Sequence, residues 1–237
     1  MNFPPWFTGH ALLFDTETTD PNPLDARMVS ASLVEIRPEG IGQRMEVLIN
    51  PGVKIPAEAI AIHHITNERV QAEGIPIASA IRQLEFALRD GWGRGWPVVA
   101  FNVNYDATVV CCELERQGLG RPTLGPFLDP FVIDRGCDPY RKGSRKLADA
   151  AAFYGVKQEG AHSSAGDALA AGRIVWKQAQ LAMKPGKYDA LKRLTLEGMQ
   201  VWQKQAHHAR QTNYEQYLAT KGKPEVIDKA WPVREQF

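Results

Sequence analysis

A chain of 237 residues, 44% apolar and 23% charged, can bury a sizeable core as one large domain or as one domain with an appendage. No apolar run approaches the roughly 20 residues of a membrane span, and the first ten residues, MNFPPWFTGH, lack the basic-then-apolar layout of a secretory leader. The net charge of +1 names no partner, and three cysteines, the adjacent Cys111 and Cys112 plus Cys137, form neither a disulfide framework nor a zinc pattern, so a reducing, cytoplasmic setting is expected.

In chain order, ALLFDT (residues 11–16) reads as a short buried strand. The turn-rich TTDPNPLDAR follows it. MVSASLVEI (28–36) and QRMEVLIN (43–50), linked by the turn RPEGIG, complete a three-stranded antiparallel meander. The stretch 51–70 reads as a loop with helical pieces. Pro76 then opens a helix with Ile77, Ile81, Leu84 and Leu88 on one face, ended by the segment Gly91–Gly95. WPVVAF (96–101) is a buried strand, and Asn102 to Tyr105 leads into a helix closed by Gly118. RPTLGPFLD is a loop running into a short strand near Phe127–Leu128. KLADAAAFYG is a helix ending at Gly155, and a longer alanine-rich helix starts at a serine cap, Ser163 or Ser164. Residues 188 to about 220 read as a polar helix, followed by a late apolar cluster, Ala230 to Val233.

Strands first, then strand and helix alternating, then helices: this order predicts an α/β fold with a mixed sheet flanked by helices. A domain over residues 1–183 and a helical C-terminal extension over 184–237 packed on or beside it is the expected division. Charge is uneven along it. Residues 184–237 hold ten Lys and Arg against six Asp and Glu, and RGCDPYRKGSRK (135–146) holds five bases against one acid. Such a basic knot can contact a phosphate backbone or be a solvated loop. His207 and His208 read as solvated residues of the polar helix, Trp176 as core, and Cys111 and Cys112 as buried small hydrophobes.

The chemistry is expected at strand and helix ends. Asp15 and Glu17 are two apart, so on a strand both carboxylates project from one face. Asp106 falls in the first turn of the helix after the buried strand, and Asp167 in the first turn of the alanine-rich helix. Four carboxylates at element ends along one sheet edge suit hard divalent cations, Mg²⁺ or Mn²⁺. Two such ions about 4 Å apart can clamp both oxygens of a phosphoryl displacement. His162, five residues before Asp167, titrates near neutrality and suits a general base.

FDTETT, FNVNYDATVV and HSSAGDALAAGRIV resemble the three exonuclease motifs of the DEDD superfamily. The histidine five residues before the last aspartate matches its DEDDh branch, which includes the proofreading epsilon subunit of DNA polymerase III and ribonuclease T. IHHIT (62–66) resembles the IHGIT segment of that branch. The resemblance covers roughly residues 8–183. It implies a ribonuclease-H-like fold and a two-metal 3′→5′ exonuclease acting on single-stranded nucleic acid, DNA rather than RNA, with a polymerase or repair partner possible. An RNA trimmer of the same fold, or a non-catalytic nucleic-acid-binding module, are the alternatives. Carried over by position, Asp15, Glu17, Asp106 and Asp167 would be the metal ligands and His162 the base. Thr18 would contact the terminal nucleotide, and Asn102 would match the asparagine of the second motif. Phe101 stands where the family usually has histidine, His64 where glycine is common, and Tyr105 where phenylalanine is common. The terminal base is expected against the loops around Ile62 and Phe101. His63 either lines the nucleotide pocket or is satisfied by backbone hydrogen bonds.

Overall fold

The computed structural model describes residues 3–158 and 163–235. Three long strands, β1 (Ala11–Thr18), β2 (Met28–Arg37) and β3 (Gly40–Asn50), form the expected antiparallel meander. Three two-residue strands extend it: β4 (Ile75–Pro76) beside β3, then β5 (Val98–Val99) beside β1 and β6 (Phe127–Leu128) beside β5. The sheet order is β4-β3-β2-β1-β5-β6, and β1, β5 and β6 run parallel. The α/β mixed sheet is therefore as expected, with β1 near its middle.

Helices α1 (Ala57–His63), α2 (Asn67–Glu73), α3 (Ile77–Gly93) and α4 (Val103–Arg116) come first. They are followed by α5 (Pro130–Cys137), α6 (Leu147–Tyr154), α7 (Ser164–Ala182) and α8 (Leu196–Thr220). Alternation along β1 divides the core in two. Leu12 and Phe14 pack with Ile81 and Leu84 of α3 and Val110 and Leu114 of α4. Leu13 points the other way and packs with Ile174 and Val175 of α7. Full burial of each such side chain contributes about 1.5–3 kcal/mol, so both faces hold β1 firmly.

Several boundaries differ from the sequence expectation. The strand expected over 96–101 is reduced to Val98–Val99. Pro97 has no N–H to donate, and Asn102 takes a left-handed turn (φ 66°) that starts α4. Helix α5 has no counterpart among the expected elements. Asp129 caps it by accepting from the N–H groups of Phe131 and Val132, with Pro130 in its first turn. The expected helix from 188 splits into a 3₁₀ turn (Asp189–Leu191) and α8, because Thr195 caps a fresh start by accepting from the Gly198 N–H.

The polar helix also proves to have a buried stripe. Met199, Gln203 and His207, four residues apart, are all inside, so His207 is 3% exposed rather than solvated, while His208 is exposed as expected. That stripe covers the sheet edge. Gln200 pairs with both backbone groups of Phe127, and Gln203 accepts from the Asp129 N–H and donates to the Phe127 carbonyl. An unpaired β6 edge is thus satisfied by side chains of α8. Trp231, in the late apolar cluster, is buried against the α3–α4 side of the core. Cys111 and Cys112 are buried, and Trp176 is half-buried against the α7 side.

Candidate active site

The end of β1 places its acids by simple alternation. Leu13, Asp15 and Glu17 share the face that meets α7, and Asp167 is in the first turn of that helix. Ser163 caps α7 by accepting from the Gly166 N–H, which fixes where the first turn begins. Gly172, one and a half turns further on, lies so close to β1 that a Cβ there would stand 2.6 Å from Leu13 Cδ1. The glycine lets helix and strand approach, and this brings carboxylate oxygens of Asp15, Glu17 and Asp167 within 4.8 Å of one another.

Asp106 stands on the other side of the strand. Its Oδ1 accepts from the Thr16 N–H (3.1 Å) and the Thr16 hydroxyl (2.7 Å), and the residue is 4% exposed. It remains within electrostatic reach of Asp15. Burial first, then Asp106, Glu17 and Asp167 in that order, raise the Asp15 carboxyl well above its usual range. Glu17 is pushed up to about 7 by burial and then by Asp167 and Asp106. Burial also raises Asp106, against the lowering effect of its Thr16 hydrogen bonds. Among the described residues, the charged groups raising Asp15 and Glu17 are other carboxylates, a clustering of like charge that a cation would offset. Three converging carboxylate oxygens in such a cluster fit a hard divalent cation such as Mg²⁺ or Mn²⁺.

The remaining expected residues divide between two cavities. His63 is buried, and its Nδ1 accepts from the Ile65 N–H at 3.1 Å, so its proton resides on Nε2. That nitrogen is buried with no hydrogen-bond partner among the described residues, and the residue lines a cavity of about 300 Å³ with Glu17, Arg69 and Ser163. The Ile65 bond is a backbone contact of the kind expected for a structural histidine. Ile62 is exposed. Phe101 and Asn102 line a different cavity, of about 860 Å³, where the Phe101 ring meets Phe131 edge-on at 5.7 Å. Thr18 is held by Tyr105, whose hydroxyl meets both the Thr18 hydroxyl and the Asp20 carbonyl, tying α4 to the end of β1. His162 lies outside the described residues.

One positioning residue escaped the sequence reading. Asp129, fully buried, accepts not only from α5 but also from the N–H groups of Asn102 and Val103 at 3.0 and 2.9 Å. A single carboxylate thus anchors the starts of α4 and α5. Burial raises it to about 6 even with those bonds. The dipeptide Asp129-Pro130 was its signal, since Asp before Pro is a helix start. Two of the five bases in the basic knot are structural: Arg141 and Arg145 both pair with Asp134, and Arg145 is 4% exposed.

An exonuclease family model matches residues 12–175. The chain is 31% identical over 176 residues to the uncharacterized exonuclease CP81 of Escherichia phage 186, covering 68% of this chain and 84% of that protein. It is 25% identical over 178 residues to a PolC-type DNA polymerase III of Caldanaerobacter subterraneus subsp. tengcongensis, covering 75% of this chain but 12% of the polymerase. Among solved structures, Escherichia coli exonuclease I with a dT13 oligonucleotide superposes with a TM-score of 0.60 at 17% identity, over 74% of this chain and 42% of that one. A moderately thermophilic exonuclease I from Methylocaldum szegediense gives 0.59 at 18%, over 76% and 42%. The chain thus spans under half of the exonuclease I proteins whose ribonuclease-H-like fold it shares. With its acids gathered at one strand end and its motifs inside the matched span, this chain belongs to the exonuclease family, as a hydrolytic enzyme of the DEDDh type.

Proposed function

We propose that this exonuclease removes nucleotides from the 3′ end of single-stranded DNA by metal-dependent hydrolysis. The observation that carries this reading is the Asp15–Glu17–Asp167 trio, three carboxylate oxygens within 4.8 Å. The DNA oligonucleotide bound by the exonuclease I neighbour supports the choice of DNA.

Asp15, Glu17 and Asp167, with Asp106 beside them, would hold two divalent cations. Bound there, such ions supply Lewis acidity and neutralise charge at the phosphodiester. His162 takes the proton of the attacking water, a role that rests on its place five residues before Asp167. The hydroxide attacks phosphorus, the P–O3′ bond breaks, and a nucleoside 5′-monophosphate leaves a strand one residue shorter. His63, with its Nε2 proton and its place beside Glu17, donates to the terminal nucleotide. Tyr105 holds Thr18, and Asp129 holds Asn102, so that the walls of the site stay in register with the acids.

The test is release of nucleotides from matched 5′-labelled DNA and RNA 12-mers, and from a primer with a mismatched 3′ end, in Mg²⁺ and in chelator. Stepwise shortening of DNA from the 3′ end, lost in chelator and in Asp15→Ala and Asp167→Ala, is expected. Release untouched by chelator or by both substitutions overturns the proposal, and preference for RNA replaces DNA as the substrate.

A further inference from the structure

The cavity lined by Phe101 and Asn102 has a basic wall that the exonuclease motifs do not account for. Its charged lining is Arg135, Arg145, Lys146, Arg210 and Arg234 against one acid, Asp228. Arg145 is engaged by Asp134, and Arg234 donates to the Asn104 side chain. Arg135 and Arg210 are different. Both guanidinium groups lie over the same Phe131 ring, at 5.5 and 5.0 Å from its centroid. Neither has a carboxylate within 4 Å among the described residues, and Arg210 has only a 3.3 Å bond to Gln211. Among the described residues the Arg135 Nε is buried without a partner, and so is Nε2 of His207, a 3%-exposed residue on the same wall. Burial, and next the neighbouring Arg210, disfavours the charge on Arg135. Asp134 favours the charge on Arg135 and Asp129 that on Arg210, but neither forms an ion pair with them, so two like charges held half-buried side by side leave room for an anion between them.

The cavity also stands in the right place. Asn102 and Phe131 each follow the carboxyl end of a parallel strand by three residues, β5 and β6 respectively. Asp15 and Glu17 lie at the carboxyl end of β1 in the same sheet. Strands are spaced by about 4.8 Å, so β6 stands roughly 10 Å from β1, about a nucleotide or two along a strand. Exposed Tyr214 and partly exposed Phe101 offer ring faces to unstacked bases at this wall. Arg210 and Tyr214 belong to α8, outside the matched span 12–175.

We infer that the cleft between α5, α8 and the 143–147 loop binds the phosphodiester backbone of the substrate strand just upstream of the bond cut, with Arg135 and Arg210 as its phosphate contacts and Lys146 at its rim. The inference rests on the exonuclease reading above, and it gives the C-terminal helix a part in substrate binding.

The experiment uses the full chain and a fluorescein-labelled dT12. Binding in chelator is followed by anisotropy between 50 and 200 mM NaCl. For Arg135→Gln combined with Arg210→Gln, Kd rises roughly 5- to 20-fold and the salt slope falls by about 1.4, about 0.7 per phosphate contact. Lys146→Gln, on an exposed side chain, lowers the slope by about 0.7 with no effect on folding, and Arg210→Lys keeps most of it. Under Mg²⁺, the ratio of kcat/KM on dT12 to that on the p-nitrophenyl ester of thymidine 5′-monophosphate, which has no upstream strand, falls in the double variant. Unchanged Kd and slope in both the double variant and Lys146→Gln overturn the inference, as does an equal loss on both substrates. A wild-type enzyme that cuts neither substrate defeats the exonuclease reading instead, and the chelator binding data still decide the cleft.

Discussion

Two groups of carboxylates in this chain meet opposite fates. Asp134, 2% exposed, is gripped by Arg141 and Arg145 and accepts from the Tyr154 hydroxyl, and these partners hold its carboxyl below the usual range despite burial. Asp15 and Glu17 share their surroundings with Asp106 and Asp167, and they are raised. The difference is the source of positive charge. Where the chain supplies its own guanidinium groups, the acid joins α5 to the 141–145 loop and serves stability. Where the described residues gather acids together, a cation bound from outside would offset their repulsion, and that is the electrostatic condition of a metal site.

The comparison is broken most directly by removing an acid from each group. Asp15→Ala or Asp167→Ala is expected to lower exonuclease turnover by more than the roughly 100-fold typical of losing a group behind a ligand. At pH 8 in chelator, either variant melts at or above the wild type, because a repelling charge has gone. Asp134→Ala does the reverse. It leaves two buried guanidinium groups uncompensated and costs about 3–5 kcal/mol in urea unfolding, with turnover per folded molecule preserved. If the two variants lose stability alike, the distinction between the groups fails.

Gly172→Ala tests how closely the trio must be held. Overpacking against Leu13 costs about 1–3 kcal/mol, offset in part by the roughly 1 kcal/mol that alanine gains over glycine in a helix. A net loss visible in urea melts is expected, together with a larger fall in kcat, since the same helix carries Asp167. A variant with wild-type kcat would show that the trio tolerates a displaced helix.

The smallest expected effect is a shift in Tm with pH. Glu17 titrates near 7 in the folded protein and near 4.5 as an unperturbed side chain. The folded state therefore binds the proton more tightly, and its contribution is complete at acid pH and lost as pH rises towards 7. His207, lowered mainly by burial to about 4, acts in the opposite sense, its contribution being lost as pH falls below about 6.5. The diagnostic quantity is accordingly the difference in Tm with and without Mg²⁺, which leaves His207 out. It is expected to be several degrees at pH 8 and close to zero at pH 5, where protons and cations compete for the same oxygens. A Mg²⁺ effect of the same size at both pH values would separate the cation from these carboxylates.

By itself the sequence determined the strand of ALLFDTETT, the meander after it, the helix starts at Ser163 or Ser164 and near Asp106, and the motifs that mark the family. Each depends on residues close together in the chain, where alternation, capping and turn chemistry act. The placing of Asp15 and Glu17 on one face follows from alternation alone. Which partner meets that face does not: Asp167 is there because Gly172 lets α7 close on Leu13, a contact across some 160 residues of chain. Only the tertiary structure distinguished Asp134 from the site acids, because its guanidinium partners lie in a stretch that reads as one undifferentiated basic knot. It also turned the polar helix over, burying Gln203 and His207 because the β6 edge needs hydrogen-bond partners and α8 provides them. Local patterns say what a segment can form, and burial decides which of its polar groups find a partner inside the chain and which are left for a ligand.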